Sequence, residues 1–254
     1  MTDPKTISRA IDLVGSAGVL FLFTQTPETS QEIAATADQL LTWLGTPPGF
    51  QTILLLIDAP REISATEWPS RVSVNGGYAI PGSGKIVVYR EEEWERVLIH
   101  ETIHALGWDW EMPAEPMPCW GFEDDEVIAP HLFEAWTELY AEWLWCGFFG
   151  ASWDGQRAYQ DAQAIQILAR DNVAHRPWRE NTIFFAYYVL KAALAPHFPF
   201  LWVARNGVTP EERQHILCEL TGPELQRLKA EAAKAEAAKT APRAMTLRMS
   251  LEKK

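Results

Sequence analysis

The segment VLIHETIHALGWDW, residues 97–110, combines an almost continuous apolar surface with two histidines and a glutamate. His100 and His104 are four residues apart, so a helix carries both imidazoles on one face. Imidazole nitrogen is a preferred zinc ligand. Glu101 lies about 100° further round the helix, where a carboxylate beside the ion can accept a proton from a water. The pattern His-Glu-x-x-His therefore predicts a zinc site on a helix.

The remainder of this helix is apolar on nearly every side. A helix of that composition is buried, and buried histidines and carboxylates need partners. One alternative is a pair of core histidines joined by hydrogen bonds, with Glu101 in solvent. Burial of the helix favours the metal ion over that alternative.

A catalytic zinc site takes a third protein ligand and leaves a fourth position open. Trp110 stands where the pattern HExxHxxGxxH carries its third histidine, and Asp109 is one residue short of the related spacing that ends in aspartate. The segment HLFEAWTELYAEW, residues 131–143, offers a better candidate, because Glu134 and Glu138 share one helical face. One carboxylate can bind zinc while the other accepts the free N–H of a zinc-bound histidine.

Two other interpretations of this segment stay open. Glu134 and Glu138 could belong to a solvated acidic face, since Glu142 is interpreted as an ordinary surface acid of the same helix. His131 could reach the metal, or it could cap the helix or lie on the surface.

HETIH followed by EAWTE resembles the gluzincins, thermolysin-type peptidases with HExxH on one helix and a glutamate ligand on the next. The resemblance implies a zincin-like fold, with Glu134 as the third zinc ligand and Glu138 as the group that orients His100. Most of residues 70–250 also resembles HExxH proteins of large DNA viruses, which come without an assigned substrate. The segments that carry this second resemblance are SVNGGY, IVVYREEEWERVLIHETIHALGWDW, FEAWTELYAEW, NTIFFAYYVLK and LRMSL.

Amide hydrolysis by a gluzincin also needs a hydrogen-bond donor for the oxyanion, usually a Tyr or His beyond the third ligand. Tyr187 and Tyr188 are the candidates, followed by His175 and His197. The alternative for each tyrosine is a core residue whose hydroxyl is satisfied within the fold.

Apolar runs and turn residues organise the rest of the chain. Strands are predicted at residues 19–23, 52–57, 71–74 and 85–89, and a helix at residues 30–44. Further helices are predicted at residues 91–106, 131–149, 156–171, 181–195 and 210–220. Together with the resemblance, these elements predict an α+β, zincin-like fold. An N-terminal mixed sheet with helices packed on it and a mainly helical C-terminal lobe would enclose an active-site cleft.

The predicted boundaries are residues 1–107 for the N-terminal α/β lobe, 108–130 for an acidic, proline-rich loop, 131–222 for the helical lobe and 223–254 for an exposed helix and tail. Residues 223–239 favour a helix but lack an apolar stripe, which indicates exposure. Residues 71–79 fit an edge strand that could bind an extended peptide, although Asn75-Gly76-Gly77 favours a turn.

Composition limits the partners. Twelve Trp predict a large aromatic core. The net charge of −12 argues against binding to nucleic acid and to anionic membrane surfaces, which both need clustered cations. No apolar run is long enough to cross a membrane.

Cys119, Cys146 and Cys218 form no CxxC pair, so no disulfide framework is expected. A cytoplasmic location follows, in the host cytoplasm or virion if the protein is viral.

These features predict a zinc-dependent peptidase that acts on a peptide or protein substrate, with Glu101 activating a water. The main alternative is a non-catalytic virion or interaction protein with a structural zinc. A zinc hydrolase of a small amide would use the same residues in a cleft of different shape. The presence of Glu101 favours catalysis, because a structural site has no need of that carboxylate. The sequence leaves the oligomeric state open.

Overall fold

A computed structural model of the protein describes residues 9–15, 18–24, 29–63, 69–80, 82–109, 118–121, 132–170, 182–204, 207–237 and 245–249. The chain divides into two compact units, the first formed by residues 1–60 and 75–109 and the second by residues 61–74 and 110–254. The first unit contains a mixed sheet with helices, and the second is mainly helical. The predicted α+β class and mixed sheet are therefore confirmed.

The described strands are Arg9–Gly15 (β1), Gly18–Thr24 (β2), Gln51–Ile57 (β3), Glu62–Ile63 (β4), Gly77–Ile80 (β5), Lys85–Arg90 (β6) and Met245–Thr246 (β7). The described α-helices are Ser30–Trp43 (α1), Arg71–Val74 (α2), Trp94–Leu106 (α3), Leu132–Phe149 (α4), Trp153–Arg170 (α5), Lys191–Leu194 (α6), Phe198–Ala204 (α7) and Pro210–Ala237 (α8). Ala186–Leu190 is a π-helical turn, and Pro118–Trp120 and Ala195–His197 are 3-10 turns. None of the helices in these described ranges is both long and apolar enough to span a bilayer.

The sheet of the first unit has the strand order β1-β2-β3-β6-β5. β2, β3 and β6 run parallel, whereas β1 and β5 are antiparallel to their neighbours at the two edges. The central strand β3 buries Leu54 and Leu56, because alternate side chains of a strand point to the same face. The strands predicted at residues 19–23, 52–57 and 85–89 are confirmed, as is the helix α1.

A buried arginine binds the chain both where it leaves the first unit and where it re-enters that unit. The chain departs after Pro60 and returns at Asn75. The Arg90 guanidinium donates hydrogen bonds to the carbonyl oxygens of Ala59 and Asn75. Hydrogen bonds from a charged donor are stronger than neutral ones. The Arg90 side chain at the end of β6 therefore anchors the chain on both sides of the segment 61–74.

The strand predicted at residues 71–74 is wrong, since this segment is the single turn of helix α2. The Ser73 hydroxyl donates to the Ser70 carbonyl and accepts a bond from the Ser70 amide, at 2.9 Å each. Serine side chains that bond the local backbone compete in this way with strand formation. The edge strand expected over residues 71–79 is therefore limited to β5.

The core of the second unit includes a cluster of aromatic side chains from α4 and α7. Trp136 is completely buried and stacks on Trp202 with ring centroids 6.2 Å apart. Tyr140 packs on Trp202 at 4.4 Å, and Phe198 contacts the same group. Aromatic pairs of this kind contribute about 0.5–1.5 kcal/mol beyond their area burial. The aromatic core predicted from the tryptophan content is confirmed.

A buried ion pair joins α4 to α6. Lys191 Nζ lies 2.5 Å from Glu142 Oε1, and Gln160 of α5 donates to the other carboxylate oxygen. Glu142 is fully buried, so its interpretation as a surface acid is wrong. Each charge needs the other, because an unpaired charge in a core is strongly destabilising.

Helix α8 passes through Pro223 and extends well beyond the end predicted at residue 220. Leu225 and Leu228 are completely buried, and Ala232 is nearly so. The exposed helix predicted from residue 223 is therefore wrong. Three apolar side chains spaced three and four residues apart suffice to bury one side of this helix.

Cys119 and Cys218 form a disulfide bond, with Cα atoms 5.6 Å apart. Beside it, the indole N–H of the fully buried Trp120 donates to Thr221 of α8 at 2.9 Å. The expectation of no disulfide is therefore wrong, because the docking of Trp120 on α8 brings together two cysteines 99 residues apart. The cytoplasmic location stays a prediction and loses the support that this expectation gave it.

We expect the double variant Cys119→Ser, Cys218→Ser to unfold at a lower urea concentration than the wild type, because the bond restricts the unfolded chain over a long loop. The expected loss is about 2–4 kcal/mol in the free energy of unfolding. Tryptophan fluorescence measures it. Reductant should shift the wild-type curve onto that of the variant and leave the variant unchanged. A wild-type midpoint that does not respond to reductant would contradict the bond.

Candidate metal centre

Helix α3 is the buried element that carries His100, Glu101 and His104. Within the first unit it packs on β5, β6 and α1, and its side chains Ile99 and Ile103 are completely buried. His100 is 5% exposed and Glu101 is 7% exposed. The alternative of two core histidines required Glu101 to lie in solvent. The burial of Glu101 contradicts that alternative. Two imidazoles and a carboxylate on one buried helix must find partners inside the protein.

The two imidazoles of α3 meet at their Nε2 atoms. His100 Nε2 and His104 Nε2 are 3.0 Å apart, and the rings lie edge to face with centroids 4.7 Å apart. Two nitrogens bound to one tetrahedral zinc at about 2.0–2.1 Å would lie about 3.3 Å from each other. The observed spacing is close to that value. The predicted approach of both imidazoles on one helical face is confirmed.

Asp109 contacts His104 from the turn that follows the helix. Its Oδ1 lies 2.8 Å from Nδ1 of His104. Gly107 ends α3 in the left-handed conformation, with φ of 66°, and the Trp108 amide bonds back to the Ile103 carbonyl. This reversal returns the chain towards the last turn of the helix. A carboxylate on the Nδ1–H of a histidine fixes the tautomer that leaves the Nε2 lone pair for a metal.

The contact between Asp109 and His104 was not predicted from the sequence. The spacing of Asp109 from His104 bears only on whether Asp109 could be a direct metal ligand. The signal that could have revealed the contact is Gly107, because a glycine at the end of a helix commonly reverses the chain.

Strand β5 approaches α3 closely at Gly77. A Cβ atom there would lie 2.7 Å from the Val87 carbonyl oxygen, 2.8 Å from a Val97 methyl group and 3.1 Å from Glu101 Cγ. Real side chains essentially never show such short contacts, so only glycine fits. The edge strand of the sheet therefore lies directly against the glutamate of the HExxH pattern.

In the second unit, Glu134 lies in the first turn of α4 and is half-buried. The Tyr187 hydroxyl of the π-helical turn donates to Glu134 Oε2 at 3.3 Å. Glu138, one turn further along α4, is 2% exposed. This burial excludes a solvated acidic face for Glu138. Its role in orienting His100 stays a prediction.

The hydroxyl groups of the two candidate tyrosines have different hydrogen-bond partners. Tyr188 is 1% exposed and donates its hydroxyl to the Leu247 carbonyl at 2.7 Å. This bond satisfies the hydroxyl within the core, as the alternative interpretation expected. The Tyr187 hydroxyl therefore donates to Glu134, whereas the Tyr188 hydroxyl donates to the Leu247 carbonyl. Of the other residues considered, His197 lies in a 3-10 turn, and Trp110, His131 and His175 lie outside the described residues.

Cys146 of α4 does not supply a thiolate. Burial, with a further contribution from Glu142, raises the pKa of Cys146 to about 12. The group is therefore a protonated thiol at neutral pH, and thiols in this form neither bind metals nor attack substrates effectively.

His100, His104 and Glu134 form a group that could hold a metal ion, because one ligand atom from each lies within 4.8 Å of the others. His100 is buried, and the other two are half-buried. Two imidazoles and one carboxylate are a set of ligands that catalytic zinc sites use.

No known family model matches this chain, and neither a curated protein nor a solved structure matches it. The resemblances to gluzincins and to viral HExxH proteins therefore stay predictions.

We expect Gly77→Ala to lower the free energy of unfolding by about 1–3 kcal/mol, because the added methyl group collides with the backbone of β6. Urea denaturation measures the change. Gly147→Ala is the matched control, since no atom lies within 4 Å of a Cβ there and alanine favours the helix by up to about 1 kcal/mol. Equal effects of the two substitutions would contradict the close approach of β5 to α3.

Proposed function

We propose that this protein is a zinc-dependent hydrolase, a gluzincin-like metallopeptidase that cleaves a peptide bond. The observation that carries the proposal is the 3.0 Å separation of the His100 and His104 Nε2 atoms on a buried helix that also carries Glu101. A site that held a metal only for stability would need its ligands, but it would not need a further buried carboxylate beside them.

The donor atoms suit zinc better than Mg²⁺ or Ca²⁺. Mg²⁺ and Ca²⁺ take oxygen ligands, whereas Zn²⁺ readily combines imidazole with carboxylate. His100, His104 and Glu134 would hold the ion, and three protein ligands are the usual number in catalytic zinc sites. When bound, zinc supplies a Lewis acid that polarises a carbonyl group and lowers the pKa of water to about 7.

Glu101 acts first as a general base and then as a general acid. It takes one proton from the attacking water as the water oxygen bonds to the substrate carbonyl carbon. The carbon–nitrogen bond then breaks, and Glu101 transfers the proton to the leaving amine nitrogen. Because the side chain is buried, bulk water competes little for this carboxylate.

Two neighbouring side chains assist the reaction in this proposal. Asp109 accepts a hydrogen bond from the Nδ1–H group of His104 and so keeps the Nε2 lone pair available for the ion. Tyr187, whose hydroxyl contacts Glu134, is the donor assigned to the developing oxyanion. Tyr188 has no role, because its hydroxyl bonds the core backbone.

The proposed substrate is an extended peptide that pairs with β5. This strand is at one edge of the sheet and approaches Glu101 at Gly77. Pairing with an edge strand binds a peptide through its main chain, and alternate side chains add selectivity. Tyr78 and Ile80 are the exposed apolar residues of β5 that could make these side-chain contacts.

Glu101→Gln should abolish peptide cleavage while the zinc content stays at the wild-type level, because glutamine keeps the shape but cannot carry the proton. We expect kcat to fall about 100-fold or more on a fluorogenic peptide library. Glu95→Gln on the same helix is the control and should change neither cleavage nor zinc content.

Wild-type protein that binds no zinc contradicts the proposal, as does equal cleavage by the wild type and Glu101→Gln. Zinc binding without any cleavage that depends on Glu101 would support a non-catalytic interaction protein with a structural zinc instead.

Glu134→Ala should weaken zinc binding more than Glu138→Ala, because Glu134 supplies a ligand oxygen and Glu138 is assigned to orient a ligand. Loss of an orienting partner costs about 10–100-fold in metal affinity, and loss of a ligand should cost more. Competition with a chromophoric chelator measures both affinities. If Glu138→Ala weakened zinc binding more than Glu134→Ala, Glu138 would be the ligand and Glu134 the orienting residue.

A further inference from the structure

The C-terminal residues 245–249 lie within the second unit as an extended segment. β7 pairs antiparallel with β4. The Leu247 amide continues this pairing by donating to the Arg61 carbonyl at 2.6 Å. The segment is therefore held on one side as an added strand.

Three consecutive carbonyl groups of the same segment accept hydrogen bonds from side chains of other elements. The bonds join Tyr188 to the Leu247 carbonyl at 2.7 Å, Tyr159 and Gln163 to the Arg248 carbonyl at 2.7 Å each, and Gln156 to the Met249 carbonyl at 2.6 Å. Carbonyl groups are common to every peptide. These contacts therefore bind a main chain, as peptide-recognition surfaces do.

Three of the donors line one face of α5. Gln156, Tyr159 and Gln163 are three and four residues apart, which is the spacing of neighbours on a helix. Gln156 is completely buried and Gln163 nearly so. An unsatisfied buried amide costs about 1–3 kcal/mol. With the segment in place, the carbonyl groups of Met249 and Arg248 satisfy these two buried amides, so the face is suited to a bound main chain.

The side chains of the segment alternate in burial. Leu247 is completely buried and Met249 is 2% exposed, whereas Arg248 between them is half-buried. Alternate side chains of an extended chain point to opposite sides, so the two aliphatic residues enter the second unit together. They supply the selectivity that the carbonyl contacts lack.

We propose that α5, β4 and the π-helical turn form a peptide-binding groove whose ligand is the chain's own segment 245–249, held as an exchangeable tail. The ligand chemistry is an extended peptide with aliphatic side chains at two alternate positions. This proposal is independent of the metal site, because its contacts and its readout involve no metal.

The test uses the full-length variant Leu247→Asp, Met249→Asp, whose tail cannot enter the groove, and a fluorescent peptide RAMTLRMSLE with the sequence of residues 243–252. Fluorescence anisotropy should show about 100-fold tighter binding to the variant than to the wild type, because the intact tail competes at millimolar effective concentration. The same peptide with both aspartates is the control and should not bind. A folded variant that fails to bind the wild-type peptide overturns the proposal.

A second measurement keeps the test decisive if the variant does not fold. A protease recognition sequence replaces residues 238–244 in the otherwise wild-type chain, which is cleaved after folding. The released C-terminal fragment should co-elute with the protein in gel filtration and should be displaced by excess peptide. Immediate loss of the fragment, or retention that excess peptide cannot reverse, contradicts an exchangeable tail.

Discussion

Two imidazole nitrogens held 3.0 Å apart on a buried helix are the constraint on which the rest of the site depends. Two lone pairs cannot face each other at this distance without a proton or a cation between them. Asp109 accepts from Nδ1 of His104, which leaves the lone pair of that ring on Nε2. His100 and His104 can then either share a proton or bind one ion. Glu101 on the same helix, and Glu134 as a candidate ligand, favour the ion.

Buried polar contacts fix the helices of the second unit, including the one that carries Glu134. Glu134 is carried by α4, the helix that the Glu142–Lys191 ion pair ties to α6. The π-helical turn carries adjacent tyrosines with different partners, because Tyr187 donates to Glu134 and Tyr188 donates to the C-terminal segment. Departures of this kind from regular helix geometry are frequent at functional sites. One turn thus contacts both the candidate ligand Glu134 and the segment 245–249.

Local patterns predicted α3, which carries the histidines, and two strands of the same unit. α3, β3 and β6 are short apolar runs between turn residues, and their burial follows from composition alone. Prediction failed where distant side chains meet. The disulfide joins cysteines 99 residues apart, and spacing alone does not show that Gly107 turns Asp109 back onto His104. Choosing Tyr187 over Tyr188 also required the structure, since both occupy the same helical segment.

Zinc K-edge X-ray absorption of the purified protein tests the central claim most directly. The account predicts one zinc per chain with only nitrogen and oxygen ligands at about 2.0–2.2 Å and the scattering pattern of two imidazoles. His104→Ala should remove one imidazole contribution or the metal itself. A protein that takes up no zinc, or zinc bound to sulfur at about 2.3 Å, would contradict the account.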